Sequence, residues 1–509
     1  VLVVDQFRAD YIEKFKHQWT SGLRRLLTDG AWFRQTAYPY FNTLTCPGHA
    51  TVSTGTYPAS HGMILNSWWD RTSGKRVACA DDPGATIVSY GKPTSGIGES
   101  AVRLRMPTLA DELRTQLDPP ARAASFSLKA RAAVTLAGHH ADAIAWFADS
   151  GVFISSSRYD TAPVPAVADF VKRHPIEEQL GAVWDLTLPR QSYLADDSTR
   201  GVTTKTFQPG FPHALTGQGD EPDRLFYDRW QTSPFSDEYL AQMALDVSDR
   251  LRLGRRGTTD FLAIGFSALD KVGHDFGPTS EEVQDVLVRL DRTLGILFTG
   301  LDRSVGSGNY TVALTSDHGV APIPERAASA GLDAGRTTTA LITQTIERVL
   351  DELGPGKHVA GLAHFDVYLE PGVMERLRTR PTVVAALREA LRALPGVQTL
   401  YTRDEIENAG GSGDALLRRL AYGHDPDRSG DLVVVPKPYW LIGESAGASH
   451  GTGYDYDARV PLLLMGKGIA GGEYTTEASP ADVAPTLAFL AGVALPRVDG
   501  RVLHEALAK

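Results

Sequence analysis

The sequence is poor in cysteine and has no long apolar run. Its 509 residues include 2 cysteines, Cys46 and Cys79, which excludes a disulfide framework and a cysteine-rich zinc ribbon. One bridge between the two remains possible, but we do not expect it. No uninterrupted apolar stretch reaches the roughly 18 residues needed to span a bilayer, so we expect no transmembrane segment.

An excess of basic residues is also missing. The formal net charge is -10 at pH 7, whereas proteins that bind nucleic acids or anionic membranes usually carry a basic face. We therefore expect no nucleic-acid partner, and an anionic substrate has to be attracted by local positive charge. The chain begins within an apolar run and without Met, so a signal peptide preceding this run would not be visible.

The sequence does contain alternating strand and helix patterns. Short apolar runs at residues 1–4, 261–266 and 310–314 are typical of buried parallel strands. Ser280 is placed to cap a helix with a single apolar stripe, and residues 109–117 follow a capping-box sequence. These patterns predict an α/β fold built on a mostly parallel sheet.

Two stretches interrupt this alternation. Residues from about 160 to 258 are rich in Pro, Gln, Asp and Trp, and residues from about 322 to 440 carry helices and strands of their own. Long segments of this kind inside an α/β domain are often functional. We therefore predict a single domain spanning residues 1–509, with the two stretches inserted as a lid or second lobe above the crevice at the strand ends.

Six possible metal ligands lie at or beside the ends of apolar runs that are far apart in the sequence. They are Asp5, Asp270, His274, Asp317, His318 and His450. Loops leaving the carboxyl ends of strands in a doubly wound sheet line one shared crevice, so we expect these side chains to meet. Zinc accepts both Asp and His, six ligands suit two ions, and two-metal sites typically perform phosphoryl transfer. The alternative is that each residue is an ordinary loop Asp or surface His.

A metal pair needs a nucleophile, for which Thr45 is the best candidate. Pro47 and Gly48 predict a tight turn, and residues 50–54 can be helical, which places Thr45 at or near a helix N-terminus that favours an anion. Coordination to a divalent ion would activate its hydroxyl. The alternative is that Thr45 is only a helix cap. The rival nucleophiles are less favoured; they are Thr43, Cys46, Thr51 and Ser53.

These residues, in this order, resemble the alkaline phosphatase superfamily, and the resemblance covers nearly the whole chain. The motifs that carry it are Asp5-Gln6, Thr45-x-Pro-Gly-His, Asn66, Asp270-x-x-x-His274, Asp317-His318-Gly319, His450-Gly451, Pro485-Thr486-Leu487 and Asp499-Gly500. The resemblance implies an alkaline phosphatase-like three-layer α/β sandwich with two zinc ions. One zinc ion is expected on Asp270, His274 and His450. The other is expected on Asp5, Asp317 and His318, with Thr45 bridging toward it, while His49 and His61 are expected to be structural.

The branch of the superfamily depends on a few positions. Sulfatases carry a Cys-x-Pro-x-Arg signature, but here Cys46 is followed directly by Pro47, and no Arg follows. The nucleotide pyrophosphatase and phosphodiesterase branch shares the Thr and the Asn and is the main alternative. Lys129 and Arg131, predicted two residues apart on one face at the end of a strand over residues 123–128, resemble the Ser-x-Lys-x-Arg element of the PafA-like alkaline phosphatases.

Charge explains why this pair matters. Two divalent ions offset by three carboxylates give the site a net charge of about +1, which suits a phosphodiester. Lys129 and Arg131 raise that net charge to about +3, which suits a monoester dianion. The alternative is that the two cations are solvated.

The resemblance implies a periplasmic or secreted alkaline phosphatase that releases inorganic phosphate through a phosphothreonine intermediate, with an alkaline pH optimum. We expect a monomer that acts on small-molecule phosphate monoesters. A mutase and a non-catalytic binding lobe are the remaining alternatives, although a binding lobe would be expected to have lost some of these residues. The predicted catalytic residues are Thr45, Asn66, Lys129 and Arg131.

Overall fold

The computed structural model describes residues 1–194, 204, 206–444 and 446–508. Its strands are β1 (Leu2–Val4), β2 (Ala31–Thr36), β3 (Ser67–Asp70), β4 (Lys75–Ala78), β5 (Asp81–Asp82), β6 (Ile87–Ser89), β7 (Gly98–Glu99), β8 (Ala123–Ser127), β9 (Ala143–Ala148), β10 (Val152–Ser156), β11 (Val183–Trp184), β12 (His213–Ala214), β13 (Phe261–Phe266), β14 (Thr311–Thr315), β15 (Gly335–Thr337), β16 (Val359–Ala363), β17 (Asp366–Leu369), β18 (Val397–Thr402), β19 (Leu432–Pro436), β20 (Trp440–Ile442), β21 (Leu462–Gly466) and β22 (Gly472–Ala478).

The helices are α1 (Asp10–Phe15), α2 (Gly22–Asp29), α3 (Thr45–Thr54), α4 (Pro58–His61), α5 (Leu109–Gln116), α6 (Ala130–Ala137), α7 (Pro165–Arg173), α8 (Arg224–Gln231), α9 (Pro234–Arg250), α10 (Ala268–Phe276), α11 (Glu281–Ser304), α12 (Pro324–Ser329), α13 (Thr339–Leu350), α14 (Val373–Arg378), α15 (Pro381–Arg392), α16 (Arg403–Glu407), α17 (Ala415–Gly423), α18 (Asp455–Ala458) and α19 (Val483–Ala491). None of the described helices is both long enough and apolar enough to cross a membrane.

The main sheet has ten strands in the order β22-β2-β21-β14-β1-β13-β8-β9-β10-β6. Its central strands, from β14 to β9, are all parallel. The three apolar runs predicted from the sequence form the neighbouring strands β14, β1 and β13. The expected mostly parallel α/β sheet is therefore confirmed, and the polar residues that follow these strands emerge at one edge.

Strand β1 shows how the sheet separates two layers of helices. Leu2 and Val4 pack in the core cluster that includes residues of α9, α10 and α11. Val3, which points to the opposite face, packs in the cluster that includes residues of α3, α5, α6 and α19. Because successive side chains of a strand alternate between faces, a single short strand contributes to both cores of a three-layer sandwich.

The helix ends agree closely with the sequence. Thr108 and Asp111 form the reciprocal capping box of α5, and the Ser280 hydroxyl accepts a hydrogen bond from the Val283 N–H at the start of α11. At the last helix, the Ser479 hydroxyl caps a 3-10 turn, Pro480–Asp482, that precedes α19. Local capping chemistry therefore identifies the starts of α5 and α11 correctly.

The two stretches predicted as insertions differ in how they pack. The segment from 160 to 258 contains α7, α8 and α9, which contribute to the main core, although its residues 195–203 and 205 lie outside the described part of the chain. The segment from 322 to 440 contains a separate four-stranded sheet, β16-β17-β19-β18, with its own core. Their role as a lid or second lobe stays a prediction.

The two cysteines are joined, contrary to the sequence-based expectation. Cys46 and Cys79 form a disulfide bond across 33 residues. The prediction was wrong because the sequence does not show that the base of the hairpin of β3 and β4 lies against the first turn of α3, where Cys79, the residue after β4, meets Cys46.

Candidate active site

The first predicted ligand group comes together around Asp270. Asp270 and His274 lie one turn apart on α10, and His450 reaches them from the loop before α18. His274 Nε2 lies 3.2 Å from Asp270 Oδ1, and His450 Nε2 lies 3.7 Å from the same oxygen. The three residues offer atoms within 4.8 Å of one another, a spacing that suits one cation.

The second predicted group lies where β1 and β14 end side by side, although the residues whose ligand atoms lie within 4.8 Å of one another there are Asp5, Asp317 and His49. Asp5 follows β1, and Asp317 and His318 follow β14, its parallel neighbour. His318 Nε2 lies 3.1 Å from Asp317 Oδ2, and all three residues are fully buried. The rings of His318 and His450 are stacked with their centroids 3.4 Å apart, so the two groups adjoin.

Each predicted His ligand is oriented through its far ring nitrogen. A ring N–H that donates to a carbonyl leaves the other nitrogen directed at a metal or another partner. The Nδ1 atoms of all three lie 2.8–3.0 Å from backbone oxygens. The pairs are His274 with Ala448, His318 with Gly319, and His450 with Thr43. Their Nε2 atoms therefore face the cluster.

Electrostatics keep two of the predicted carboxylate ligands, Asp270 and Asp317, ionised. Burial alone would raise the pKa of Asp270, but Lys129, His274 and His450 together outweigh it and hold that pKa well below its ordinary value. Burial also opposes ionisation of Asp317, whose pKa is nevertheless lowered by His318. Burial alone would lower the pKa of His318, but contact with Asp317 raises it above its ordinary value. Burial and His318 lower the pKa of His450, so His450 is neutral at neutral pH, as a ligand must be.

Two oxygens at the centre of the cluster, Asp5 Oδ1 and Asp317 Oδ2, accept no hydrogen bond of suitable geometry from the described residues. A histidine Nε2 lies 3.2 Å from the first and 3.1 Å from the second, but buried anionic oxygens without well-formed hydrogen bonds are costly. Lys129 supplies part of the missing charge, since its Nζ lies 2.7 Å from Asp5 Oδ2 and 2.5 Å from Asp270 Oδ2. One ammonium group among three buried carboxylates leaves a need for positive charge. The donor set therefore fits bound metal ions.

Thr45 lies beside the second group. It is the first residue of α3, and its Oγ1 lies 3.5 Å from His318 Nε2. The predicted tight turn is wrong, because Pro47 and Gly48 lie within α3, where an early Pro forfeits no helical hydrogen bond. A Cβ on Gly48 would lie 2.3 Å from the backbone oxygen of Asp317. The missing side chain thus lets the start of the helix pack against the second group.

The rival nucleophiles are engaged elsewhere. Thr43 donates to the Thr452 carbonyl, Ser53 donates to the Thr135 carbonyl, and Thr51 bonds to both Tyr40 and His61. Cys46 is held in the disulfide. Within the described part of the chain, His318 is the only hydrogen-bond partner of the Thr45 hydroxyl, which leaves it the best-placed nucleophile.

Asn66 lies between α4 and β3 and faces the start of α3. Its side-chain oxygen accepts a 2.8 Å hydrogen bond from the backbone N–H of Cys46. This bond fixes which end of the amide faces the helix. The NH2 group of Asn66 donates to no described residue, so it is available to a ligand at the start of α3.

Lys129 and Arg131 do not share the predicted strand face. Strand β8 ends at Ser127, Lys129 precedes α6, and Arg131 lies in the first turn of α6, so strand alternation does not apply to them. Lys129 pairs with Asp5 and Asp270, whereas Arg131 Nε is buried without a hydrogen-bond partner among the described residues. The Arg131 guanidinium is thus available to an anion.

Gln6 links the two ligand groups, a role that the sequence does not reveal. Its backbone N–H donates to Asp317 Oδ1 at 3.1 Å, and its side-chain NH2 donates to Asp270 Oδ1 at 2.8 Å. Gln6 has a φ of 68°, a left-handed conformation that is uncommon outside glycine and often marks functional sites. Its position directly after Asp5 was the only available signal.

His49 also lies in the second group, where the sequence predicts only a structural residue. Its Nδ1 lies 2.9 Å from the Thr45 carbonyl, and its Nε2 lies 3.2 Å from Asp5 Oδ1. Asp5, His49 and Asp317 offer atoms within 4.8 Å of one another. His49 is therefore a further potential ligand or hydrogen-bond donor. Its spacing of one helical turn from Thr45 is the signal that could have identified it.

Known structures define the class of this protein. The chain matches the crystal structure of wild-type alkaline phosphatase PafA with a TM-score of 0.89 and 28% sequence identity, covering 100% of this chain and 98% of that one. A PafA mutant substituted at one Thr, one Asn, one Lys and one Arg matches equally well, with a TM-score of 0.89 and 27% identity over 100% and 98% of the two chains. The fold and the clustered site define an enzyme of the alkaline phosphatase superfamily.

Within that class, the chain belongs to the type I phosphodiesterase / nucleotide pyrophosphatase family, whose sequence profile matches residues 1–457. It is 30% identical to alkaline phosphatase PafA of Elizabethkingia meningoseptica, over 97% of this chain and 91% of that protein. It is 31% identical to alkaline phosphatase PhoK of a Sphingomonas species, over 98% of this chain and 89% of that protein. The superfamily predicted from the sequence is thereby confirmed.

Proposed function

We propose that this enzyme is an alkaline phosphatase that hydrolyses phosphate monoesters through a phosphothreonine intermediate on Thr45. The observation that carries the proposal is the position of Thr45 Oγ1 at the start of α3, 3.5 Å from His318 Nε2 and beside two groups of cation ligands. The relatives PafA and PhoK are both alkaline phosphatases by name. The residues substituted in the PafA mutant have the same types, order and pairwise spacing as Thr45 with Asn66 and Lys129 with Arg131.

Two zinc ions fit the donor set. Asp270, His274 and His450 would hold one ion, and Asp5, Asp317, His318 and Thr45 would hold the other. Carboxylate and imidazole ligands without a free thiolate suit zinc. When bound, the two ions supply Lewis-acid stabilisation of the attacking and leaving oxygens.

The protein's own residues hold and attack the phosphoryl group. Thr45 Oγ loses its proton to solvent and bonds to phosphorus as the ester P–O bond breaks. The alcohol departs with the bonding electrons and gains a proton from solvent. The Asn66 NH2 group and backbone N–H groups at the start of α3 donate to the non-bridging oxygens. Water then cleaves the phosphothreonine, which restores the Thr45 hydroxyl and releases inorganic phosphate.

Positive side chains favour a monoester over a diester. Two divalent ions and three carboxylates would give the site a net charge of about +1, to which Lys129 and Arg131 add about two positive charges. Lys129 is paired with Asp5 and Asp270, so it can contribute to phosphoryl binding only when cations take over those carboxylates. Arg131 has no such pairing among the described residues and is therefore the better test.

The test compares an aryl phosphate with its methyl diester. We expect the wild-type enzyme to have the higher kcat/KM for the monoester, and Arg131→Ala to lower that value about 10- to 100-fold while affecting the diester much less. The matched control is Arg114→Ala. Arg114 lies near the end of α5 and pairs with Asp142, so its removal should leave kcat/KM for both the monoester and the diester unchanged. A preference for the diester together with an unchanged monoester rate in Arg131→Ala would establish the phosphodiesterase alternative instead.

The disulfide supports the proposed periplasmic or secreted location. Structural disulfides persist mainly in oxidising compartments, and Cys46–Cys79 is buried in the core beside the site. Fractionation of the producing cell should recover the activity outside the cytoplasm. Recovery of disulfide-free, active enzyme in the cytoplasm would contradict this location.

A further inference from the structure

We propose that the Cys46–Cys79 disulfide is a positioning element of the active site, which holds the Asn66 amide at the start of the helix that carries Thr45. This inference rests on the proposed phosphatase function. It assigns the bridge a role in catalysis in addition to any contribution to stability.

Both bridged residues donate a backbone hydrogen bond to Asn66. The Cys46 N–H donates to the side-chain oxygen of Asn66 at 2.8 Å, and the Cys79 N–H donates to its main-chain oxygen at 3.0 Å. The disulfide joins these two donors covalently. Asn66 is therefore held at its side chain and at its backbone by the two ends of one cross-link.

The bridge anchors the base of a small hairpin, whose other support comes from Trp68 in a buried cluster and from contact with β16. Asn66 directly precedes β3, Cys79 directly follows β4, and Ser67 pairs with Ala78 at the base of the hairpin. Isolated two-stranded hairpins are marginally stable in water, and the outer residues Lys75 and Arg76 are exposed. The two cysteines, in contrast, are 0% and 1% exposed. The cross-link thus ties the base of the hairpin, and Asn66 with it, to the first turn of α3.

The position of the Asn66 amide matters because its two ends have opposite roles. With the oxygen held by the Cys46 N–H, the NH2 group is the end left to donate to a phosphoryl oxygen. Misplacing a catalytic group by about 1 Å can cost on the order of 100-fold in rate. Release of the bridge would leave both backbone donors in place but would let the hairpin base move relative to Thr45.

A double-mutant cycle separates this role from general stabilisation. The variant Cys46→Ser/Cys79→Ser removes the bridge and retains both backbone N–H groups. We expect it to lower kcat/KM for an aryl phosphate about 10-fold in the otherwise wild-type enzyme. In an Asn66→Ala background, where no amide remains to be positioned, we expect removal of the bridge to change kcat/KM less than about twofold, because residues that act through each other are not additive.

The matched control is Val152→Ala, a substitution on β10 in the same buried cluster. It should lower the melting temperature while leaving kcat/KM unchanged and additive with Asn66→Ala, when every variant is assayed well below its own melting temperature. An unchanged kcat/KM after removal of the bridge would overturn the inference. Equal losses in the wild-type and Asn66→Ala backgrounds would overturn it as well.

A second measurement covers the case in which the serine variant does not fold. The folded wild-type enzyme is reduced with a phosphine, its thiols are counted by alkylation and mass spectrometry, and kcat/KM is measured before and after reoxidation. A reversible loss that is absent from Asn66→Ala supports the inference, whereas two free thiols with unchanged kcat/KM contradict it. If the wild-type enzyme releases no phosphate from the substrate, the proposed function itself is contradicted. That result differs from an active enzyme in which removing the bridge and removing the Asn66 amide have independent effects, which contradicts only the role of the bridge.

Discussion

The two ligand groups of the site differ in their access to solvent. The side chain of His274 in the first group is 34% exposed, whereas Asp5, Asp317 and His318 of the second group are fully buried. The difference follows from their supports, because α10 and a loop carry the first group, and two adjacent strand ends under α3 carry the second. A buried group suits a nucleophile that must be shielded from water, and an open one suits the entry of water and the departure of the alcohol.

The two groups are nevertheless coupled. Gln6 donates hydrogen bonds to one carboxylate of each group, and Lys129 pairs with one carboxylate of each. The stacked rings of His318 and His450 form a third contact between them. The site therefore combines unequal solvent access with shared positioning, and each of these properties can be tested separately.

Removal of the Thr45 hydroxyl tests whether chemistry begins in the buried half. We expect Thr45→Ala to lower kcat/KM on the order of 10⁴-fold or more and to abolish trapping of labelled phosphate on the protein. Ser53→Ala on the same helix is the control, because its hydroxyl donates to the backbone carbonyls of Ala50 and Thr135. A Thr45→Ala protein that still retains label from the substrate would place the nucleophile elsewhere.

Removal of the link between the groups tests their coupling. In Gln6→Ala, Asp270 loses the hydrogen bond from the Gln6 side chain, and the backbone N–H that donates to Asp317 is no longer held by that side chain. We therefore expect metal content after dialysis, or kcat/KM, to fall about 10- to 100-fold. Gln116→Ala, at the end of α5, should leave both unchanged. Equal metal content and activity in Gln6→Ala and the wild-type enzyme would show that the two groups act independently.

Chelation tests the difference in solvent access. We expect a chelator to remove metal in two phases, with the faster phase from the Asp270 group and the slower phase at least about tenfold slower, since the buried group has to open locally before exchange. Metal content measured by mass spectrometry, alongside activity, follows both phases, and added zinc should restore the activity. A single phase would mean that the exposure of His274 does not control exchange.

The parts of the site that follow from local pattern could be predicted from the sequence. The apolar runs before Asp5 and Asp317 became strands because buried parallel strands have a distinctive composition, and the topology of such sheets brings their ends together. The contacts that were missed join distant segments: Lys129 meets Asp5 across 124 positions, and Gln6 meets Asp270 across 264. The disulfide was missed for the same reason, since no local pattern shows which loops fold onto α3.

A buried carboxyl group outside the site provides the contrast to Asp317. Asp366 is buried in the second sheet, and burial raises its pKa from 3.8 to about 6, whereas the pKa of Asp317 is lowered beside His318. A raised carboxyl pKa means that the folded state binds the proton more tightly than the unfolded state. Its contribution to the free energy of unfolding is therefore present below about pH 4 and is lost as the pH rises through about 6.

We expect Asp366→Asn to remove this dependence while the new amide oxygen keeps the hydrogen bond from the Gly430 N–H. The difference in free energy of unfolding between pH 4.5 and pH 7.5 should shrink by about 1 kcal/mol, once relaxation of the buried site is allowed for. Urea denaturation of the metal-free protein measures it. Asp317→Asn should leave this difference unchanged, because a lowered pKa gives a contribution that is complete above pH 3.8 and is lost only as the pH falls below that value. If Asp366→Asn and the wild-type protein had the same pH dependence, Asp366 would be ionised in the folded protein. Its burial would then not set its pKa apart from that of Asp317.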